Sequence, residues 1–536
     1  MTANAHTARR LPAAFVAASV TLAIVATSRS WGHMRVIGRL DGELRDHLWV
    51  AWMVGERLRH GAIPLTFPEA GFPQGIALYP LDPLHQGAIA IVGAVVGLLP
   101  AVGLVATALY ALTGIGAGRL ALALGSSRSG AVIAAMAAML GPPILGPFSD
   151  TQTEGMGAGW VLLMVSELAA SRPSGWRAAL FGMAVVASSP YLAHVVGPVA
   201  VVVYVARRLP WAPALTVAVV SAALFAAFLH AEGGEHGRIA ARAIRADHPP
   251  ISATSDVLPR AVVQTAVTRA VAPYPSPTET GPRKWAGWAM PCAALLAMVA
   301  AFVRRHKRTL VVAAAALACA SLAVGSGQAH GMTFPYDAFW RWFPGGNLAW
   351  KPSQYGVPAW GLAAAVLATL PTLPAVLSLA LIAAETQLRG PTPLPLPATL
   401  LAPRAAWTAL ATEPDGGLIQ FPARARAPDR PLPADELLGP LFHHRPLGET
   451  FDRGRNRIHI ELLEALAAAA GLRADRRAPP LPRALAYVGH EGFRVLLVHT
   501  DLLGETPSAR LELALSALVP TIQRWPDGTI AYRLSP

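Results

Sequence analysis

Long apolar runs alternate with polar connections, some short and some long, through the first 386 residues of the chain. Runs of about 17 to 25 apolar residues are typical of helices that cross the hydrocarbon core of a bilayer. The alternation therefore predicts a mostly α fold, a polytopic membrane helix bundle of about 11 spans. The predicted spans are 11–29, 101–124, 128–146, 156–171, 176–190, 191–207, 211–230, 285–303, 309–325, 357–370 and 372–386. The two at 176–207 can also form one long helix kinked at Pro190. A shorter stretch at 86–100 is expected to be re-entrant or interfacial.

The pattern changes beyond residue 386. Segment 387–409 is rich in proline and predicts a stiff linker after the membrane domain 1–386. Segment 410–536 mixes short alternating runs with amphipathic ones, which predicts a small α+β domain. The strand-like runs are Gly417–Phe421, Phe493–His499 and Thr529–Leu534, and the helical runs are Ile458–Gly471 and Pro507–Leu518.

Composition supports the membrane class. Residues of the hydrophobic set make up 53% of the chain and charged residues only 14%, whereas soluble domains average about 25% charged. An ordinary soluble enzyme is therefore excluded. Cys292 and Cys319 both lie in apolar stretches, which excludes a disulfide framework and a Cys-x-x-Cys metal site.

The distribution of positive charge follows the predicted membrane topology. The net charge is +13 and is carried mostly by arginine. With the N-terminus inside and 11 spans, the basic clusters fall on the cytoplasmic side, as the positive-inside rule requires. The chain is thus expected not to bind nucleic acid. The clusters are Arg9–Arg10, Arg119 with Arg128, Arg172 with Arg177, Arg207–Arg208, and the basic residues of 304–308.

This orientation places 30–85, 147–155, 231–284, 326–356 and the C-terminal domain outside. Abundant arginine and alanine suggest a GC-rich bacterial genome. The predicted location is therefore the bacterial inner membrane, with a periplasmic C-terminal domain. The first span can alternatively be a signal peptide, which leaves this sidedness unchanged.

The first outer loop, 30–85, carries the main candidate chemistry. Asp41, Glu43 and Asp46 lie within six positions, and 44–59 is predicted to be an amphipathic helix that starts near Asp46. Trp49 and Trp52 would suit the membrane interface. A carboxylate there can act as a general base or hold a divalent cation. The alternative is that these acids only favour a helix N-terminus.

Three further sets of residues are candidates on the same face. The short loop 147–155 carries Asp150 and Glu154, which could converge with the first-loop acids or form a polar turn. His194 lies within an apolar span, where an ionisable group is a functional candidate or a hydrogen-bonded structural one. Arg341 and Lys351 lie near tryptophans and suit a lipid phosphate, although interfacial anchoring explains them equally well.

At this point the chain resembles the GT-C-type polytopic membrane glycosyltransferases. The resemblance is carried by the acidic first outer loop after the first span, the shorter acidic second outer loop and the extracytoplasmic C-terminal domain. Local segments also resemble bacterial GT-C-like membrane proteins of unassigned activity. These segments are Asp46–Trp52, Phe72–Gly75, Asp82–Pro83, Arg119–Arg128, Phe442–Gly448 and Phe493–His499. No strict Asp-x-Asp is present, because the triplet reads Asp41-Gly-Glu43.

The resemblance implies transfer of a sugar from a polyprenyl-phosphate-linked donor within the membrane to an extracytoplasmic glycan, lipid or protein acceptor. Asp41 or Asp46, with Glu43 as a third candidate, would be the general base. Asp150 and Glu154 would complete the site or bind a divalent ion, and Arg341 or Lys351 would bind the donor phosphate. No cofactor is certain, and a divalent cation (Mg or Mn) would suit these acids. The alternatives are a lipid or polyprenol-linked glycan transporter or flippase, or a non-catalytic scaffold presenting the C-terminal domain.

Overall fold

The structure is a computed structural model, and the residues it describes form two compact units. The described residues are 13–32, 34–39, 44–70, 72–73, 75–77, 82–189, 191–194, 197, 200, 204, 208–232, 289–323, 328–329, 332–333, 338–339, 352–389, 394–413, 415–422, 438–447, 457–472 and 478–535. The first unit contains 1–44, 81–226 and 248–400. The second contains 45–80, 227–247 and 401–536.

The first unit is a bundle of apolar helices. Its helices are α1 (Ala13–Thr27), α3 (Pro83–Val96), α4 (Leu98–Ala123), α5 (Arg128–Met139), α6 (Pro142–Asp150), α7 (Ala158–Ala169), α8 (Gly175–Ser188), α9 (Trp211–Glu232), α10 (Ala289–Val303), α11 (Lys307–Ala323), α12 (Gly356–Leu367) and α13 (Thr372–Arg389). Helix α2 belongs to the second unit. Apart from 191–207, most of which lies outside the described residues, every predicted apolar run is helical. The mostly α fold is thereby confirmed.

Helix length limits how many spans can be assigned. Within the described residues, only Ala13–Ser30 and α4 are long and apolar enough to cross a bilayer alone. Helices α5 and α6 would form a third span together, bent by 48° at their junction. Gly141, Pro142 and Pro143 lie at this break and account for it, because proline interrupts the helical hydrogen bonds. The number of about 11 spans stays a prediction.

Small residues let the central helix α4 approach its neighbours closely. A Cβ atom added to Gly116 would lie 2.8 Å from the Cβ of Leu162 on α7, and one on Gly118 would lie 2.7 Å from the ring of Phe15 on α1. Membrane helices pack through such small positions because lipid supplies no hydrophobic driving force between them. Helix α4 therefore packs closely against both α7 and α1.

Two short strands pair within the first unit. Strand β1 (Arg35–Ile37) pairs antiparallel with β6 (Ala398–Leu400), with Val36 opposite Thr399. The amide of Gly38 continues the pairing by donating to the carbonyl of Pro397 at 3.0 Å. The start of the first outer loop is thus held by backbone hydrogen bonds.

The second unit contains a four-stranded mixed sheet. Its order is β7-β8-β10-β9, with β7 parallel to β8 and the other pairs antiparallel. These strands are β7 (Gly417–Phe421), β8 (Phe493–His499), β9 (Thr521–Arg524) and β10 (Thr529–Arg533), and the accompanying helices are α14 (Ala405–Leu410), α15 (Pro440–His443), α16 (Arg457–Ala469), α17 (Leu481–His490) and α18 (Glu505–Ser516). The predicted strands and helices of the C-terminal segment are therefore all present.

A hairpin from the first outer loop packs on this sheet. Strands β2 (Thr66–Phe67) and β3 (Ile76–Ala77) form the hairpin. The ring of Phe72 meets the ring of Phe493 edge-on, with centroids 5.0 Å apart. The amide of Phe72 donates to the carbonyl of Leu447 at 3.0 Å, and the amide of Leu447 donates to the carbonyl of Glu69 at 2.9 Å. The hairpin and the C-terminal segment therefore belong to one unit, although they are far apart in sequence.

Helix α2 (Leu44–Arg59) forms where amphipathic spacing predicts it. Its apolar side includes Leu48, Trp49 and Trp52, all of which are buried. The expectation that Trp49 and Trp52 lie at the membrane interface is therefore wrong, because the protein interior covers both indole rings. Asp46 lies in the first turn of the helix and is half-buried.

Candidate functional site

A buried polar turn opens helix α3 in the first unit. Asp82 precedes Pro83, whose fixed backbone angle suits the first helical position. The carbonyl of Asp82 accepts hydrogen bonds from the amides of His85 and Gln86, both at 3.1 Å. The side chains of Asp82, His85 and Gln86 are each about 1% exposed. Three polar groups are therefore enclosed at the start of an apolar helix.

His85 binds the segment that follows α6. Its Nδ1 lies 2.9 Å from the carbonyl oxygen of Thr153 and its Nε2 lies 3.3 Å from Nε1 of Trp160. A carbonyl only accepts and an indole N–H only donates, so we assign the hydrogen to Nδ1 and leave Nε2 as an acceptor. His85 is then a neutral imidazole with both nitrogens in use.

Gln86 binds the same segment through Thr153. Its Nε2 donates to Oγ1 of Thr153 at 3.0 Å. Together, His85 and Gln86 hold the backbone and the side chain of the residue next to Glu154. The start of α3 consequently positions the 3₁₀ turn Thr153–Gly157.

The second acidic segment is buried. Asp150 ends α6, and Glu154 lies in the following 3₁₀ turn, with 4% and 1% of their surfaces exposed. Between them Thr151 adopts the left-handed conformation, with φ 58°. Glu154 lies just before α7, as the alternative of a polar turn also predicts, so the roles of both acids stay predictions. Both carboxylates lie inside the first unit and interact with neighbouring groups.

The start of the first outer loop is hydrogen-bonded to this segment. Oγ1 of Thr151 donates to the carbonyl of Ile37 at 2.5 Å, and the amide of Arg39 donates to the carbonyl of Ser149 at 3.1 Å. Gly38 lies between these contacts, and its own carbonyl accepts from Oγ1 of Thr399 at 2.7 Å. The chain that leads to Asp41 is thus joined to the chain that carries Asp150.

An amide and an aromatic group border the second acidic segment. Nε2 of Gln354 donates to Oε1 of Gln152 at 3.0 Å. Next to it, the buried ring of Tyr355 lies 5.7 Å from the ring of Phe339 and 6.4 Å from that of Tyr191, measured between centroids. The segment therefore contacts Gln354, which is next in sequence to Tyr355 of the aromatic group.

His194 belongs to the aromatic group. Its ring lies 6.0 Å from that of Phe339, edge-on, and the residue makes a further interaction. These contacts place His194 in the first unit near Tyr355, but they do not assign it a chemical role, so its function stays a prediction.

Only some of the predicted site residues lie in the part of the chain that the structure describes. Asp150, Glu154 and His194 are described and lie in the first unit, whereas Asp46 lies on α2 of the second unit. The remaining candidates, Asp41, Glu43, Arg341 and Lys351, lie outside the described residues.

Sequence reasoning did not select Asp82, His85 and Gln86 as site residues. An available signal was a set of polar residues at the beginning of the apolar stretch 86–100. Their contact with Thr153 joins positions 67 and 68 residues apart, and local periodicity does not report contacts at that range.

The described residues contain no group of three or more His, Cys, Asp or Glu side chains able to hold a metal ion. Carboxylate oxygens would be suitable ligands for Mg²⁺ or Mn²⁺, but the described ones do not form such a set. No chemical step is therefore assigned to a metal.

Comparisons with known proteins identify the type of fold. No protein-family model matches the chain, and no curated protein matches it by sequence. The mycobacterial arabinofuranosyltransferase AftD matches in structure with a TM-score of 0.51 and 17% identity, over 98% of this chain and 40% of AftD. A mutant of AftD matches with a TM-score of 0.52, also at 17% identity, over 98% of this chain and 41% of that one.

ArnT from Cupriavidus metallidurans, solved with undecaprenyl phosphate, is more distant. Its TM-score is 0.40 at 14% identity, with 97% of both chains covered. AftD is a GT-C glycosyltransferase, so the chain has a GT-C-type fold. It spans about 40% of the length of AftD.

Proposed function

We propose that this chain, whose fold is of the GT-C type, is a membrane glycosyltransferase that uses a polyprenyl-phosphate-linked sugar donor. The observation that carries the proposal is the junction of the two acidic outer segments, in which Arg39 binds Ser149 and Thr151 binds Ile37. Such a junction can gather carboxylates from two loops at one site.

The short segment between Arg39 and Asp41 supports Asp41 as a member of that site. Asp41 follows Arg39 by two residues, so their Cα atoms are at most about 7 Å apart. The amide of Arg39 is bound to Ser149, which adjoins Asp150. We therefore assign Asp41 as the preferred general base and Asp150 and Glu154 as the groups that complete the polar site. Asp46 is the alternative base, and Glu43 is the third first-loop candidate.

The proposed reaction is a displacement at the anomeric carbon of the sugar. The acceptor hydroxyl gives its proton to the base carboxylate as its oxygen bonds to that carbon. The bond between the anomeric carbon and the phosphate oxygen breaks, and polyprenyl phosphate leaves with the electron pair. Arg341 or Lys351 would bind the phosphate, because a cation stabilises the charge on the leaving group.

AftD determines which donor to test first. It is an arabinofuranosyltransferase, so polyprenyl-phosphate-linked arabinofuranose is the first probe. The acceptor, whether glycan, lipid or protein, remains to be identified by the product.

We place the protein in the bacterial inner membrane, with the acidic segments and the C-terminal domain on the periplasmic side. The distribution of arginine supports this orientation. Reporter fusions after Arg208 and Arg308 should give a cytoplasmic signal, and a fusion after Gly390 should give a periplasmic one. A cytoplasmic signal after Gly390 would contradict the orientation.

Lipid analysis of a deletion strain tests the function. Loss of the transferase should cause a polyprenyl-linked sugar to accumulate and a surface glycan to disappear, and the wild-type gene should restore both. The proposal would be contradicted if purified enzyme failed to transfer any sugar from the donors that accumulate. A flippase would be supported instead if the deletion strain kept its sugar-transfer activity but its vesicles no longer moved the polyprenyl-linked lipid across the membrane.

A further inference from the structure

Two buried oxygen atoms at the start of α3 have no hydrogen-bond partner among the residues the structure describes. They are Oδ2 of Asp82 and Oε1 of Gln86, whose side chains are each about 1% exposed. The two residues lie one helical turn apart, a spacing that puts side chains on the same face. They therefore form a pair of neighbouring hydrogen-bond acceptors.

Helix capping does not explain the Asp82 carboxylate. Aspartate before a helix commonly accepts hydrogen bonds from the amides of the first turn. Here the amides of His85 and Gln86 bind the backbone carbonyl of Asp82 instead, and its side chain makes no capping bond. The carboxylate is consequently available for another role.

His85 does not satisfy the carboxylate either. Nδ1 of His85 lies 3.7 Å from Oδ2 of Asp82 but 2.9 Å from the carbonyl of Thr153. The hydrogen on Nδ1 therefore goes to Thr153. Burying a carboxylate without a donor is costly, so a group that supplies donors is needed at this position.

The chemistry of the two oxygens selects the ligand. Both atoms accept hydrogen bonds, and one of them is on an acid, so the pair favours hydroxyl donors and disfavours a phosphate. Neighbouring hydroxyls of a sugar offer two hydrogen-bond donors, one for each of these oxygens. A metal ion is disfavoured because no third ligand of the usual type joins them among the described residues.

We propose that Asp82 and Gln86 form a subsite that accepts hydrogen bonds from hydroxyl groups of the transferred sugar. This inference rests on the proposed function and adds a sugar-recognition site to it. His85 and Thr153 are positioning residues, since they link the subsite to the turn that carries Glu154. Sugar recognition and the acidic site are thereby built on one connected set of side chains.

The test uses donors that each lack one hydroxyl. Transfer from polyprenyl-phosphate-linked arabinofuranose and from its monodeoxy analogues is measured as kcat/KM. The wild type should prefer the complete donor over one analogue by about 10- to 100-fold, the value of a hydrogen bond to a charged group. Asp82→Ala should reduce that preference to about threefold or less while leaving discrimination at remote hydroxyls unchanged.

Three further variants keep the result interpretable. Asp501→Ala removes an exposed acid of the second unit and should retain wild-type discrimination. If Asp82→Ala does not accumulate, Asp82→Asn preserves the shape and should lower the preference about tenfold. Gln86→Ala should weaken discrimination at the same or the adjacent hydroxyl.

The outcomes separate the subsite from the enzymatic function. If the wild type transfers sugar and Asp82→Ala or Asp82→Asn keeps the full preference, the subsite is wrong and the glycosyltransferase stands. An equal loss of activity on all donors would also contradict the subsite, because it indicates a purely structural role. If the wild type transfers no sugar from any polyprenyl-linked donor, both proposals fail.

Discussion

Gly38 and Thr151 approach so closely that a Cβ atom on Gly38 would lie 2.1 Å from Oγ1 of Thr151. Gly38 also has φ +111°, a backbone conformation that side chains rarely adopt. The first outer loop can therefore contact the second acidic segment only with glycine at position 38. This pair controls how the two loops meet.

The Gly38→Ala substitution should separate the two loops. We expect it to lower the free energy of unfolding by about 3 kcal/mol, from backbone strain together with the steric clash. Thermal unfolding of the purified protein in detergent measures this loss. Gly61→Ala is the matched control, because Gly61 also has positive φ but no atom lies within 4 Å of the added Cβ.

The control should cost only about 1 kcal/mol, the strain of a left-handed alanine. Equal losses for both variants would show that strain alone matters and that the contact with Thr151 does not.

Substitution of the first-loop acids tests the assignment of the general base. Asp41→Asn and Asp46→Asn each remove a charge and keep the shape of the side chain. The variant at the base should insert normally and lose about 10²- to 10⁴-fold in transfer rate. An acid that only favours a helix N-terminus contributes about 0.3 to 1 kcal/mol to stability, so its variant should keep activity.

Asp46 has the stronger structural explanation, because it occupies the first turn of α2. The larger kinetic effect is therefore expected at Asp41. Full transfer activity in the double Asn variant would end the proposed mechanism. Complementation of the deletion strain and assays on purified protein measure the two effects independently.

Phe72 should stabilise the second unit. Its ring packs against Phe493, and Cβ atoms on Gly417 and Gly492 would lie 2.4 and 3.3 Å from it. Because Phe72 is half-buried, Phe72→Ala should cost about 2 kcal/mol, less than for a fully buried phenylalanine. Faster amide exchange in β7 and at Leu447 measures the change.

Tyr487→Ala is the control for Phe72, since 45% of Tyr487 is exposed. It should leave exchange in β7 within about twofold of the wild type. The same contact implies that the C-terminal domain expressed alone from Leu410 should fold with lower stability than in the whole chain. Unchanged exchange in Phe72→Ala would contradict a stabilising role for the hairpin.

The buried histidines of the second unit should make its stability depend on pH. Burial, followed by the nearby Arg404 guanidinium, lowers the pKa of His499 to about 3. Burial, followed by Arg445 and His444, lowers the pKa of His443 to about 3. Each folded pKa lies below the unfolded value of about 6.5, so stability is complete above that pH and is lost as the pH falls toward 3.

The expected loss is about 1.4 kcal/mol per pH unit for each histidine within this window. Amide exchange in β8, measured at pH 7 and 5 on the whole chain, should detect it. His499→Gln should reduce the difference between the two pH values, because it removes one buried imidazole. An unchanged pH dependence in His499→Gln would contradict the assignment to His499.

The hydrophobic pattern by itself determined the apolar helices of the first unit and three strands of the second, but not short elements such as β1, β6 and β9. Apolar runs such as 211–230 and alternating runs such as Phe493–His499 form the predicted elements, because side-chain spacing and burial are local properties of the chain. It also selected Asp150 and Glu154 as candidates, since acids are conspicuous between apolar runs, and their role stays a prediction. Length was predicted less well, because Gly141, Pro142 and Pro143 break one run into α5 and α6.

Tertiary structure alone decided which polar residues meet. The pairing of Thr153 with His85 and Gln86, of Ser149 with Arg39, and of Leu447 with Glu69 joins segments that sequence separates by dozens or hundreds of residues. Such contacts depend on how helices and loops pack, and no periodic signal records them. For the same reason, only the fold shows that the backbone carbonyl of Asp82, and not its carboxylate, accepts the amides of the first turn.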